Sequence, residues 1–306
     1  MNRGWSYREQ VGPDSAGHTV LSYLTATRLH SPEAEWAARI ERGEVEVEGT
    51  RVRTDEPLYP GQTVVWHRPP WDEEPVPTHY DLIHEDDAIV VVNKPSGLPT
   101  MPAGGFVEST LLALVRRQYP EASPLHRLGR GTSGLVLFAR NKQAASQLAR
   151  AWRDRTVRKT YRALGLGITR TEMFVIDVPI GPVPHPLIGT VQAACEGGKP
   201  SHSVAVVLEQ RHDQTLFSIE ITTGRPHQIR IHMAYAGHPL IGDPLYEAGG
   251  GLKNHPGLPG DSGYFLHAER LQFMHPTTGQ KMVVTATPPP ELQTHAELVT
   301  GSALTR

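Results

Sequence analysis

Residues 216–234 read LFSIEITTGRPHQIRIHMA. Phe217, Ile219 and Ile221 alternate with Leu216, Ser218, Glu220 and Thr222. A period of two places the first set on one side of an extended chain, so a half-buried strand is expected over 216–221. Further strand-like runs lie at 89–92, 135–139, 174–178, 203–208 and 282–285, while clear helical stretches are fewer, at 110–118 and 143–154. Strands and helices do not alternate regularly, which argues against a doubly wound parallel sheet. The expectation is an α+β protein with a mixed, largely antiparallel sheet.

A chain of 306 residues, 38% apolar and 20% charged, has room for about two domains and a sizeable core. Its 29 glycines and 27 prolines are scattered and imply many turns, not low complexity. Cys195 is the single cysteine, so neither an intrachain disulfide nor a thiolate metal cage can form, and a reducing compartment is expected. Residues 1–17 lack the apolar segment of an export signal, and no run approaches the roughly 18 apolar residues of a membrane span. These features predict a soluble cytoplasmic protein with no membrane partner.

The region 20–68 is a small module. Ser31-Pro32 starts a helix, Trp36, Ala37 and Ile40 share a face, Gly43 stops it, and a hairpin turns at Glu48-Gly49. The following PPWDEEPVP is too rich in proline to pair or coil and reads as a stiff linker, 69–79. The resulting plan is an extension over 1–19, the module over 20–68, the linker, a main domain over 80–292, and a tail over 293–306.

Overall charge is only −2, which excludes a grossly basic nucleic-acid coat protein. It is unevenly spread. Residues 116–170 hold thirteen Lys and Arg against Glu121 and Asp154, a local +11 balanced by −13 elsewhere. A generic charge run is a solvated face; one this long with two acids points to a phosphate-binding surface.

Several motif spellings carry no function. Gly129-Arg-Gly131-Thr-Ser-Gly134 matches the dinucleotide fingerprint, but the strand follows the glycines where it must precede them. Gly260-Asp-Ser-Gly263 reads as a turn, not a protease nucleophile loop. His227, His232 and His238 are not spaced by four, and no H-E-x-x-H occurs, so no metal site is expected. Without metal or paired-carboxylate spacing, a phosphate-ester or nucleotide hydrolase is disfavoured.

Five ordered segments remain: Asn93-Lys-Pro-Ser-Gly-Leu98, His126-Arg-Leu-Gly-Arg-Gly-Thr-Ser-Gly134, Arg158-Lys-Thr-Tyr161-Arg-Ala-Leu164, Thr223–Ala234 with Gly237–Tyr246, and Leu266-His-Ala-Glu-Arg-Leu271. Together they closely resemble the RluA branch of the RNA pseudouridine synthases over roughly residues 80–292. The 20–68 module resembles the S4 RNA-binding domain that many members carry. The resemblance implies a cofactor-free isomerisation of uridine to pseudouridine in structured rRNA or tRNA; a monomer is expected. It also implies that the base is flipped out of its stack into a pocket with a basic approach for the flanking phosphates. In the family an aspartate closing H-R-L-D does the covalent work, a tyrosine stacks on the base, and an arginine pairs with the aspartate. Here the tyrosine is Tyr161 and the arginine Arg230, while Arg127, Arg130, Arg153, Arg155, Arg158, Lys159 and Arg225 are the expected RNA contacts, with Arg127 a candidate for the flipped nucleotide's place in the stack.

At the aspartate's place this chain has Gly129. Glycine can be neither nucleophile nor base. Either another group serves, with Asp243 the nearest motif carboxylate, or the chain is a non-catalytic RNA-binding protein of the same fold. Arg230 would also lose its partner carboxylate in a half-buried site, which is costly unless water, an anion or another acid substitutes.

Overall fold

The structure, a computed structural model, describes residues 1–303. It divides into two compact units, Met1–Glu74 with Pro184–Thr190, and Pro75–Val183 with the chain from Val191 onward.

The first unit carries β1 (Trp5–Gln10), α1 (Val20–Thr27), α2 (Glu33–Glu41), β2 (Val45–Val47), β3 (Thr50–Val52) and β4 (Thr63–Arg68), the strands forming one sheet in the order β1-β4-β2-β3. Trp36, Ile40, Val45, Val52 and Val64 close its core. The turn between β2 and β3 uses left-handed Glu48 and Gly49, φ 49° and 82°, the twist that suits a two-residue hairpin. Two expectations need correction. Residues 1–19 are not a mere extension, because β1 pairs with β4 over six residues. Nor is 69–79 a free linker: Trp71 exchanges hydrogen bonds with Asn2, N to Oδ1 at 3.1 Å and O from N at 2.9 Å, while Val76 packs against the core of the second unit.

The second unit contains β5 (Asp81–Glu85), β6 (Ile89–Lys94), α3 (Leu111–Gln118), β7 (Ser123–Pro124), β8 (Ser133–Ala139), α4 (Lys142–Arg153), β9 (Arg158–Leu166) and β10 (Met173–Ile176). The hairpin β11 (Ile180–His185) and β12 (Gly189–Ala194) forms a separate two-stranded sheet, and the expected single stretch 80–292 is interrupted because Pro184–Thr190 group with the first unit. Then come β13 (Ser203–Arg211), β14 (Gln214–Ile221), α5 (Gln228–Tyr235), β15 (Leu266–Met274), β16 (Lys281–Thr285) and α6 (His295–Ala303). The main sheet runs β10-β13-β14-β9-β15-β8-β6-β5. Among the described strands its pairings are antiparallel except the short parallel contact of β15 with β8. That seam depends on Gly134: at φ +110°, a Cβ there would lie 2.4 Å from the Ala268 carbonyl oxygen.

Both sheet faces are covered. Val90, Val92, Val136 and Phe138 share one core with Leu111 and Val115 of α3 and Ile229 and Met233 of α5. Ile89, Val91, Leu135 and Leu137 share the other with Leu148 of α4. Strands buried on both faces read as continuous apolar runs, which is how 89–92 and 135–139 stand out in the sequence. No helix among the described residues is long and apolar enough to cross a membrane.

Strand parity also organises the polar groups. Tyr161 of β9 faces the α3/α5 side, so Arg162 must face the other. There its guanidinium binds Glu297 of α6 through two bonds of 2.6 and 2.7 Å, and Glu269 at 3.0 Å. The expected tail 293–306 is thus a docked helix as far as Ala303, and its last three residues lie outside the described residues.

The Arg162 guanidinium holds the Glu297 carboxyl down at about 2, against the usual 4.5. Since the folded value is depressed, the stabilisation is complete above pH 4.5 and is lost as pH falls toward 2. Glu297→Gln should therefore cost about 1 kcal/mol near neutrality, a modest figure because Glu297 is half exposed and screened. It should also flatten the acid limb of a urea-unfolding series below pH 4.5; identical limbs for both proteins would refute the assignment.

Candidate active site

The motif residues converge on one face of the main sheet, beside the start of β8. At the base lies an ion pair. Arg230, on α5, donates from Nε and Nη2 to the two oxygens of Asp243, both at 2.7 Å, and both side chains are about 2% exposed. Burial opposes the Arg230 charge, but the Asp243 contact outweighs it and holds the guanidinium protonated. Asp243 also accepts from the backbone N–H of Leu245 at 2.8 Å and of Tyr246 at 3.2 Å. Its oxygens are committed, and it lines neither hollow of the site, so the structure places it as the partner of Arg230 and not as an acid reaching toward substrate. Arg230 Nη1 has no hydrogen-bond partner among the described residues.

The loop 126–132 is held from the neighbouring 94–100 segment. Lys94, fully buried, donates to the carbonyls of Pro95, Leu98 and Arg130 at 2.9, 2.7 and 3.3 Å. Burial pushes its ammonium down to about 7. Ser96 Oγ donates to the Gly131 carbonyl at 2.8 Å, and Thr100 Oγ1 donates to Leu128 O at 2.9 Å. His126 accepts from the Leu137 N–H at 3.1 Å and stacks on Trp152 at 4.9 Å; burial drives its ring down to about 3, so it is a neutral bracing group. Gly129 and Gly131 then make sense sterically. A Cβ at 129 would stand 2.9 Å from the Tyr264 hydroxyl, and one at 131 would stand 3.0 Å from the Tyr264 ring.

Tyr161 stands between two adjoining hollows. The smaller, about 100 Å³, is lined by Gly129, Tyr161, His227, Arg230 and Tyr264 among others. The larger, about 510 Å³, is a trench bearing Arg127, Arg153, Arg155, Lys159 and Arg225. No carboxylate lines either among the described residues. Burial pushes the Tyr161 phenol up to about 12, keeping it neutral at working pH. Gln228 fixes the far wall: its Oε1 accepts from Thr223 Oγ1 at 2.8 Å and from Arg225 N at 3.1 Å, while its Nε2 donates to His202 O and Ser203 Oγ. Arg155 and His227, both at φ 57°, are non-glycine residues held in the left-handed region beside the site.

Of the expected RNA contacts, the trench gathers Arg127, Arg153, Arg155, Lys159 and Arg225. Two fall elsewhere. Arg158 has the wrong parity on β9 and faces Glu220 at 3.6 Å, and Arg130 donates to Gly97 O at 3.2 Å with its guanidinium 4.6 Å above the Phe106 ring. Lys94 and Tyr264 were not singled out from sequence. A lysine inside an otherwise apolar strand was a usable signal for the first, whereas Tyr264 meets its loop across 132 residues and leaves no local trace. Among the described residues, no group of three or more His, Cys, Asp or Glu is placed to hold a metal ion.

Comparison with known proteins gives a concordant picture. A family profile described as RNA pseudouridylate synthase matches residues 88–235. The chain is 42% identical over 278 residues, 90% of its length and 96% of the other's, to an uncharacterized RNA pseudouridine synthase of Synechocystis sp.. It is 38% identical over 222 residues, 67% of its length and 57% of the other's, to ribosomal large subunit pseudouridine synthase D of Neisseria meningitidis serogroup B. Among solved structures, human RNA pseudouridylate synthase domain containing 1 superposes with a TM-score of 0.57 at 26% identity, covering 74% of this chain and 96% of that one.

The buried pair yields a stability test. Asp243→Ala leaves the Arg230 charge buried without a partner and should cost about 3–5 kcal/mol in chemical denaturation. Adding Arg230→Met should recover part of that loss, because no bare charge remains. A double variant no more stable than the single would refute this account.

Proposed function

The chain belongs to the RNA pseudouridylate synthase family, and we propose that it isomerises uridine to pseudouridine at a position in structured ribosomal or transfer RNA, working as a cytoplasmic monomer. The observation that carries the reading is a small hollow between Tyr161 and Arg230 that opens onto a trench of five cations with no acid among its described lining.

Each part has a physical task. A uridine inside a helix is unreachable until it leaves its stack, and an aromatic surface in the hollow repays some of the lost stacking. Tyr161, a neutral phenol on a rigid central strand, supplies that surface. The flanking phosphates need cations that are not already neutralised, which the trench offers. Arg127, exposed at the boundary of both hollows, takes the place the base vacates. Arg230, fixed by Asp243, directs a permanent positive charge into the hollow, where the departing uracil gathers negative charge. The ribosomal substrate class is supported by the relative named for the large ribosomal subunit. The 20–68 module, with its helix pair and small sheet, acts as an S4-like RNA-binding unit; six Lys and Arg against eight acids make it the weaker electrostatic contact.

Gly129, at the place of the family's aspartate, favours a second reading: an RNA-binding protein that kept the fold without the chemistry. A nucleoside assay separates the two. Unmodified large-subunit rRNA and tRNA transcripts incubated with the native chain should gain pseudouridine detectable by mass spectrometry, and no gain on any transcript would leave only the binding reading.

For the trench, Arg153→Gln with Arg155→Gln should weaken RNA binding and make the log–log salt dependence shallower by about 2, near 0.9 for each phosphate no longer neutralised. Arg158→Gln should leave the slope unchanged. Equal slopes for all three proteins would remove the trench from the reading.

A further inference from the structure

Among the described residues no acid lines the hollow, yet the site holds a second tyrosine that the family resemblance does not employ. Tyr264, 5% exposed, lines the small hollow together with Tyr161. Its hydroxyl lies 2.9 Å from where a Cβ at position 129 would stand, and its ring atoms lie 3.0 Å from the corresponding point at 131. Gly129 is outside the left-handed φ range, so its backbone does not demand glycine. What demands it is the phenol. The hydroxyl is held by Thr132 Oγ1 at 3.2 Å, so it cannot swing aside freely. The Arg230 guanidinium lies 4.2 Å from the Tyr264 ring centroid, and its Nη1 donor is unengaged among the described residues.

We propose that Tyr264 is a catalytic residue whose phenolic oxygen takes the place of the missing carboxylate at C1′ of the target ribose. The inference rests on the synthase reading above. In the first step the Tyr264 oxygen bonds C1′ as the C1′–N1 bond breaks. The electron pair of that bond stays on the uracil, and the phenolic proton follows it to N1, leaving an aryl glycoside and neutral uracil. After the base has turned, C5 bonds C1′, the C1′–O pair returns to the phenolic oxygen, and the proton leaving C5 passes to that oxygen. Tyr264 is regenerated and no further reagent is consumed. Arg230 assists both steps, because a cation over the ring and a free N–H donor beside it favour the charge that develops on oxygen and on uracil.

The test compares native protein and Tyr264→Phe on unmodified large-subunit rRNA and tRNA transcripts. The variant should keep RNA affinity and KM while kcat falls about 10⁶-fold, the scale of a lost covalent nucleophile. Acid-quenched native reactions should carry RNA on the peptide containing Tyr264. Should the variant fail to fold, difluorotyrosine installed at 264 keeps the shape and withdraws electrons from the phenolic oxygen, so kcat should change while KM holds. Native activity with an unimpaired Tyr264→Phe, or a kcat unchanged by difluorotyrosine, overturns the assignment while leaving the synthase reading intact. A native chain inactive on every transcript overturns the synthase reading and this inference with it.

Discussion

The bidentate contact between Arg230 and Asp243 is the constraint on which the site depends. Two charges at 2% exposure have given up nearly all their water, and such a pair holds only if geometry is close to ideal and remaining lone pairs are used. Both conditions are met: two bonds of 2.7 Å, and two backbone N–H groups on the same Asp243 oxygen. The pair locks α5 to the turn that follows it in the chain. With α5 fixed, Gln228 two residues earlier fixes the 223–225 wall, and His227 is left in its left-handed conformation at the helix start. The guanidinium is held in place by both of its bonds to Asp243.

Two kinds of electrostatics are therefore at work. Around Arg230 charge is buried, partnered and stiff, while Lys94, whose ammonium burial pushes down to about 7, sets the loops 94–100 and 126–132 in place through backbone carbonyls. In the trench, Arg153 and Arg155 are exposed, and among the described residues no carboxylate is on its lining. Buried pairs resist salt, whereas exposed cations are screened within roughly 10 Å at ordinary ionic strength. Salt should thus act on capture of a polyanion and leave the hollow unaffected.

How far the sequence discloses this depends on the range of each interaction. Strands 89–94, 133–139 and 214–221 announce themselves through apolar runs or alternation, since burial of sheet faces is a local pattern. Helix α5 does not: Gln228 through Ala234 are all buried, so no amphipathic stripe marks it. Parity on β9 was legible in principle, because Lys159 and Tyr161 must share a face that Arg158 and Arg162 cannot. Partners were not. Arg162 and Glu297 lie 135 residues apart, Thr132 and Tyr264 132 apart, and only the folded chain brings them together.

The same distinction decides what the glycines mean. Gly129, Gly131 and Gly134 spell a dinucleotide fingerprint, but each answers to a contact distant in sequence: the first two to the Tyr264 hydroxyl and ring, the third to the Ala268 backbone. A missing side chain in this loop is the space another side chain fills. The bare Cα at 129 and the buried phenol at 264 are one steric fact seen from two ends, because a Cβ at 129 would stand 2.9 Å from the Tyr264 hydroxyl that Thr132 holds. The residue at 129 and the tyrosine at 264 are for that reason not independent features, and any account of chemistry in this hollow must treat both together.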